Sequence, residues 1–313
     1  ESQKFKLRLS RGRVLSTSAR MMTWKTLVVS GVAAATAGFL WWKSSNAAGK
    51  TKPSQAGPFS RVELAVQMTC QSCVQTVSGV LRGLGFPDAS FDIDLKSQSV
   101  FVTTNLSAVD IANALEEVGM QTIIRGQGGS AGNLGSAVCP LLSGIGSIAA
   151  HGISGVVRFV QLSEELVVIE ASIDGLRPGK HGLHIHEFGD FSDGCLSTGG
   201  HYNPHGKKHG APTDVERHVG DMGNIVADQN GHASFRLADR QIKVWDIIGR
   251  AVVLHESEDD LGRGGHEQSP VTGNAGSRLA CGIIARSAGV LENSKKICAC
   301  DGVTLWEEKP LKS

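Results

Sequence analysis

The chain has 313 residues, a formal net charge of +1, and 39 glycines against one tyrosine and 5% aromatic residues. The length suits about two ordinary domains, and near-neutrality supplies no field for drawing in nucleic acid or acidic membranes. The composition favours a turn-rich β protein over a helical bundle, and seven cysteines in so long a chain argue against a small secreted disulfide framework.

Residues 1 to 20 carry Lys4, Lys6, Arg8, Arg11, Arg13 and Arg20 with Glu1 as their only acid, which is transit-peptide composition. An uncharged apolar run from Leu27 to Trp42 follows, 16 residues long and short of the ~17–25 that usually span a bilayer. Residues 1–57 are therefore expected to be a removable targeting leader and linker. The plastid stroma and/or the cytosol is the expected location, with the mature form off the membrane. A membrane anchor, or a true start at Met21 or Met22, are the other readings.

Residues 58–126 parse as one small domain. Arg61 to Gln67 alternates apolar and polar, as a half-buried strand does. Val74, Val77, Val80, Leu81 and Leu84 recur at helical spacing, and Gly85 with Pro87 ends that helix. Strand patterns at Ser90–Leu95 and Val100–Thr103 precede a second helix, with Ser107 as N-cap and a stop at Gly119. A last strand at Gln121–Ile124 completes βαββαβ, the α+β ferredoxin-like order. Residues 127–136, mostly glycine and small polar residues, read as a flexible linker.

Beyond it, short strands at Gly155–Gln161, Leu166–Ile173, Gly182–Phe188, Ala233–Leu237 and Arg250–His255 are divided by turn pairs such as Asp174-Gly175 and Asn230-Gly231. Many strands without strong helices between them predict an all-β sandwich or barrel over 137–287. Residues 288–313 lose the pattern and read as a separate tail.

Cys70 and Cys73 stand where the first strand gives way to the first helix. Thiolates at that spacing converge on one ion, a helix N-terminus favours their charge, and paired sulfur selects soft Cu(I). A thioredoxin-like redox pair and half of a structural zinc site are the alternatives. Met68, two residues ahead, suits either core packing or ligation. Met68-x-Cys70-x-x-Cys73 within βαββαβ resembles the heavy-metal-associated domain of copper chaperones and pumps.

His184 and His186, at i and i+2 of a strand, share a face. With His201, His209, His218, Asp221 and His255 they supply an imidazole-rich site and a mixed His/Asp site. This constellation resembles the Cu/Zn superoxide dismutase family, whose fold is a Greek-key barrel. The resemblance implies that His184, His186, His201 and His255 bind copper, and that His201, His209, His218 and Asp221 bind zinc. It further implies an Asp259 carboxylate linking the two sites, a Cys195–Cys281 disulfide, and Arg278 as the guide for superoxide should the barrel be a dismutase. His151, His181, His205, His232 and His266 match no role, and Cys139 reads as core.

Cys298-Ala-Cys300 in the tail offers a further Cu(I) or disulfide pair. The three-part layout resembles the copper chaperones for Cu/Zn superoxide dismutase. That implies Cu(I) delivery to, and disulfide formation in, a dismutase bound as a heterodimer, with a homodimer as another assembly. The alternative is a dismutase with an accessory copper-loading domain.

Overall fold

The first domain is built on β1 (Ser60–Val66), which pairs antiparallel with both β3 (Ser99–Thr104) and β4 (Thr122–Gly128). With β2 (Phe91–Asp94) the sheet order is β2-β3-β1-β4. Helices α1 (Gln71–Gly83) and α2 (Ala108–Glu116) complete the expected βαββαβ order. Val77 and Leu81 of α1 and Ile111 and Leu115 of α2 are buried in one core with Val62, Leu64, Val100 and Val102. Ser107 caps α2 by accepting a hydrogen bond from the Val109 amide, as the sequence predicts. Gly85, at φ +95°, supplies the left-handed residue that turns the chain after α1.

The second domain is all β, in a nine-stranded antiparallel sheet. Along the main path run β10 (Asp221–Ala227), β8 (Gly179–His186), β12 (Ala251–His255), β13 (Arg278–Ile283), β5 (Ser136–Leu142), β6 (Ser154–Ser163), β7 (Leu166–Asp174) and β11 (Ala233–Asp239). A short β14 (Ala285–Ser287) joins β5, and β9 (Ser192–Cys195) lies off the sheet. Val157, Phe159, Ile169, Ile173, Leu183, Ile185, Val252 and Leu254 fill the interior of this barrel-like sandwich.

This computed structural model describes residues 57–130, 132–142, 152–295 and Trp306. The expected leader, apart from Gly57, and the tail thiols Cys298 and Cys300 lie outside the described residues, as does His151. No helix among the described residues is long and apolar enough to cross a membrane.

Two boundaries differ from the sequence reading. Residues 126–128, assigned to the domain end and linker, continue β4, and residues 126–129 are buried rather than free. The glycines there serve close approach: a Cβ on Gly126 would collide with the Gly289 carbonyl. The backbone of 288–291 packs along this seam, with Gln127 N donating to Ala288 O (3.2 Å) and Leu291 N to Glu63 Oε2 (2.6 Å). The start of the tail is thus part of the fold, and the described residues of both domains belong to one compact unit.

The seam also explains a break in alternation along β7. Val168 and Glu170 should face solvent if Ile169, Ala171 and Ile173 face the core, yet both are buried. Glu170 accepts from the Ala108 amide at the start of α2 (3.2 Å), from Gln127 Nε2 (3.1 Å) and from Arg236 Nε (3.1 Å). Arg236 in turn donates to Pro58 O and Ser60 Oγ. One carboxylate therefore meets the positive end of a first-domain helix and a second-domain guanidinium together.

Candidate metal-handling sites

The two first-domain thiols end the loop after β1. Cys70 is the N-cap residue of α1 and exposed, Cys73 is half-buried in the first turn, and their sulfurs are 3.6 Å apart. A metal–thiolate bond of ~2.3 Å lets one ion touch sulfurs up to ~4.6 Å apart, so this pair is set to share one. The Ser72 hydroxyl, 2.9 Å from Cys70 Sγ, followed by the Cys73 backbone amide, lowers the Cys70 pKa to about 6. Cys70 is therefore largely thiolate at neutral pH. Met68 is 2% exposed and belongs to the core, which decides its role in favour of packing.

The barrel histidines converge as the sequence reading expects. One nitrogen each from His184, His186, His201 and His255 lie within 4.8 Å of one another, all four residues being buried. Hydrogen bonding shows which nitrogens are left over. His186 Nδ1 and His255 Nδ1 face the carbonyls of Gly199 (3.0 Å) and Gly276 (3.2 Å), which only accept, so both rings donate there. Their Nε2 lone pairs then meet 3.4 Å apart. His184 Nδ1 and His201 Nε2 are buried with no hydrogen-bond partner. Burial, and then neighbouring imidazoles, hold His184 and His186 well below the usual histidine range and take His255 to about 3. This is the neutral state a metal requires.

A second cluster surrounds Asp221. Its Oδ1 has His201 Nδ1 at 2.9 Å, His209 Nδ1 at 3.0 Å and His218 Nδ1 at 3.2 Å, while Oδ2 accepts from the amides of Gly210 and His218. Three imidazole nitrogens aimed at one carboxylate oxygen are what a tetrahedral cation would draw together. Proximity also brings His184 into this group, but its free Nδ1 belongs with the first. Burial raises the Asp221 pKa, but the hydrogen bonds from the three histidines outweigh it and hold the carboxyl well below its usual range. Burial opposes charge on His209, yet hydrogen bonds to Asp221 and Asp259 outweigh it and raise its pKa to about 9.

Asp259 joins the clusters. Its Oδ2 accepts from His184 Nε2 and its Oδ1 from His209 Nε2, both at 2.8 Å. A carboxylate can only accept, so the neutral form of each ring is fixed as the tautomer whose Nδ1 lone pair faces inward; for His209 that form is reached on loss of the proton it shares with Asp221. The orphaned buried nitrogens and converging carboxylate fit a resident metal on each side of His201.

The sequence reading missed Gly273. At φ +64°, it sits where any Cβ would strike Asp259 and His209. A lone glycine beyond a short turn gives no signal that would have found it. Thr198 was missed as well, its hydroxyl being 3.2 Å from His186 Nδ1.

Cys195 and Cys281 are bonded. Arg278 donates to the carbonyls of Cys195 (2.6 Å), Leu196 (3.2 Å) and Gly199 (2.7 Å) and to Thr198 Oγ1 (3.0 Å), so the disulfide loop holds it beside the first cluster. Cys139 is buried, and burial pushes its thiol up to about 12. His181 is bonded to the carbonyls of His255 and Arg177, and His232 to Asp174.

A sulfur-paired ferredoxin-like domain joined to a histidine-rich β-sandwich defines a two-domain copper-handling protein. The family model for copper/zinc superoxide dismutase matches residues 153–284, and that for the heavy-metal-associated domain matches residues 63–120. The chain is similar to the copper chaperone for superoxide dismutase of Mus musculus, 52% identical over 260 residues, covering 83% of this chain and 92% of that one. The Rattus norvegicus protein of the same name is 50% identical over 260 residues, with the same coverage, and the Homo sapiens protein 51% over 255, covering 81% and 90%. This chain belongs to the family of copper chaperones for superoxide dismutase.

Proposed function

We propose that this chain carries Cu(I) on Cys70 and Cys73 and delivers it to an immature Cu/Zn superoxide dismutase. The observation that carries this reading is the exposed sulfur pair, 3.6 Å apart, with Cys70 ionised near neutral pH. Two ligands hold a soft ion yet leave it open to a third thiolate, so copper moves by exchange. Each incoming thiol sheds a proton, each departing thiolate is free to take one up, and copper keeps its charge.

The barrel serves as the recognition surface. Phe188, Leu196 and Ile283 are exposed at 52%, 62% and 42%. Ile283 Cγ2 lies 3.4 Å from where a Cβ on Gly189, the residue after Phe188, would stand, and the Phe188 ring lies against Gly199 in the disulfide loop. Such a patch suits a like-shaped barrel, which supports a heterodimer with the dismutase. When Cys298 and Cys300 are themselves paired, a target thiolate attacks one of their sulfurs. A second target thiolate then releases the tail as a dithiol, leaving the disulfide in the target.

The barrel's own clusters suit resident ions. Copper would be held by His184, His186, His201 and His255, and zinc by His201, His209, His218 and Asp221, with Asp259 orienting the rings from behind. Zinc there would tie folding to metal binding. Family membership puts delivery ahead of the dismutase alternative. The test is to mix the Cu(I)-loaded protein with metal-free dismutase and follow superoxide removal. The variant lacking both tail thiols (Cys298→Ser with Cys300→Ser) should fail to activate, and full activation by it would reject this mechanism.

A further inference from the structure

We infer that the seam between the two domains holds a binding site for a small aliphatic monocarboxylate, with Arg158 as its charged anchor. The site is a cavity of about 300 Å³. One face of α2 (within residues 109–116) and residues 122–124 of β4 wall it from the first domain, and Arg158 of β6 walls it from the second. It lies apart from the thiols and the histidine clusters, and the inference goes beyond copper delivery.

Strand alternation sends Arg158 to the seam. Val157 and Phe159 on either side of it are buried in the barrel core, so the arginine faces the other way. Opposite it in register on β7, and on the same face, stands Glu170. That carboxylate is already engaged by the Ala108 amide, Gln127 Nε2 and Arg236 Nε. Arg158 forms no hydrogen bond and no ion pair among the described residues, and its Nε is buried without a partner. Two guanidiniums thus share the field of one carboxylate. Burial lowers the Arg158 pKa, and the Glu170 charge offsets only part of that. A guanidinium keeps its proton even so. The seam therefore holds a desolvated cation whose donors the described residues do not use, which is costly until an acceptor meets it.

The planar donor fork of arginine matches the two oxygens of a carboxylate. The remaining walls narrow the class. Ala112, Ile123 and Ile124 offer apolar contact to a short hydrocarbon body, beside the Asn113 amide. The Glu116 carboxylate lines the same cavity and disfavours a second negative charge, which selects a monoanion over a dicarboxylate or a phosphate dianion. The volume has room for about ten water-sized groups, which suits an acid of roughly four to six carbons. A ligand seated there touches both domains, so its binding ties the seam and stabilises the packed arrangement as occupancy rises.

The experiment titrates the full-length protein with isovalerate, read by saturation-transfer NMR and by the unfolding midpoint. Isovalerate should receive saturation and raise the midpoint, whereas isovaleramide, of the same shape without the charge, should do neither. Arg158→Gln should weaken isovalerate binding by about tenfold or more, as loss of one partner of a desolvated charge pair does, and Arg158→Lys, which keeps the charge but loses the fork, should fall between. Ala112→Leu, which keeps the guanidinium and fills part of the cavity, should weaken binding as well. Inorganic phosphate at the same concentration should not displace isovalerate. No transfer to isovalerate, equal binding of the amide, displacement by phosphate, or unchanged affinity in Arg158→Gln or Ala112→Leu would overturn the inference. The NMR signal reports binding to folded protein directly, so a loss of stability in a variant does not imitate a loss of the site. Neither copper nor a dismutase enters the assay, so its result stands apart from that of the delivery test.

Discussion

Replacing Asp259 by Ala removes the acceptor for two hydrogen bonds of 2.8 Å, one from each of two rings in different clusters. Without it, His184 and His209 no longer have a fixed tautomer, and each must reorient before its Nδ1 faces a metal. Loss of a partner of this kind typically costs 10–100-fold in metal affinity, or about 1.4–2.7 kcal/mol. Asp259→Asn should be nearly as damaging, because its amide accepts from one ring but turns an N–H2 toward the other. The assay is competition for zinc against a chromophoric chelator. Titration calorimetry in buffers of different ionisation enthalpy would count released protons. Near neutral pH the metal must expel the proton held on His209, whose pKa is about 9. In Asp259→Ala that pKa falls, and fewer protons should be released. Zinc affinity and proton release both unchanged in Asp259→Ala would refute the argument that this carboxylate sets the ring orientation.

The His209 shift also sets a pH dependence. A raised pKa stabilises the metal-free protein fully below ~6.5, and that contribution is lost as pH rises toward about 9, so the metal-free melting temperature should decline across this window. Ser72→Ala should move the midpoint of Cys70 alkylation upward from about 6, the Cys73 amide retaining part of the depression. Iodoacetamide rates with peptide mapping would show it, and an unmoved midpoint would remove Ser72 from the explanation. Glu170→Ala should destabilise the protein by about 3 kcal/mol, since it leaves the buried Ala108 amide without its acceptor and the Arg236 charge without its carboxylate; urea unfolding measures it. Cys195→Ser opens a loop with a sequence separation of 86, which should cost about 4–5 kcal/mol in the chain-entropy model. A melting temperature equal to that of the unaltered, oxidised protein would contradict that expectation.

Much of the architecture was legible because periodicity survives where one face is buried. The βαββαβ order follows from apolar spacing alone, and β6, β7 and β12 were found by the same signal. β10 was missed because its register shifts between Asp221 and Asn224, and the bulge breaks the alternation. Gly128 and Gly129 read as linker because composition cannot distinguish glycine that gives freedom from glycine that allows close approach. Glu170 was invisible for a different reason: it acts across a seam, and a single strand's pattern carries no trace of what covers it. The metal-type residues were legible by kind and spacing, but which nitrogen of each ring is left over depends on partners such as Gly199 O, Gly276 O and Asp259, far away in sequence.

The most direct test of copper delivery is to load the reduced protein with isotopically labelled Cu(I), mix it with metal-free dismutase and excess unlabelled copper held by a strong chelator, and separate the two proteins for mass spectrometry. Labelled copper should appear in the dismutase and fall to background when Cys70→Ser and Cys73→Ser are combined. Labelled copper reaching the dismutase equally well from that double variant would contradict the account.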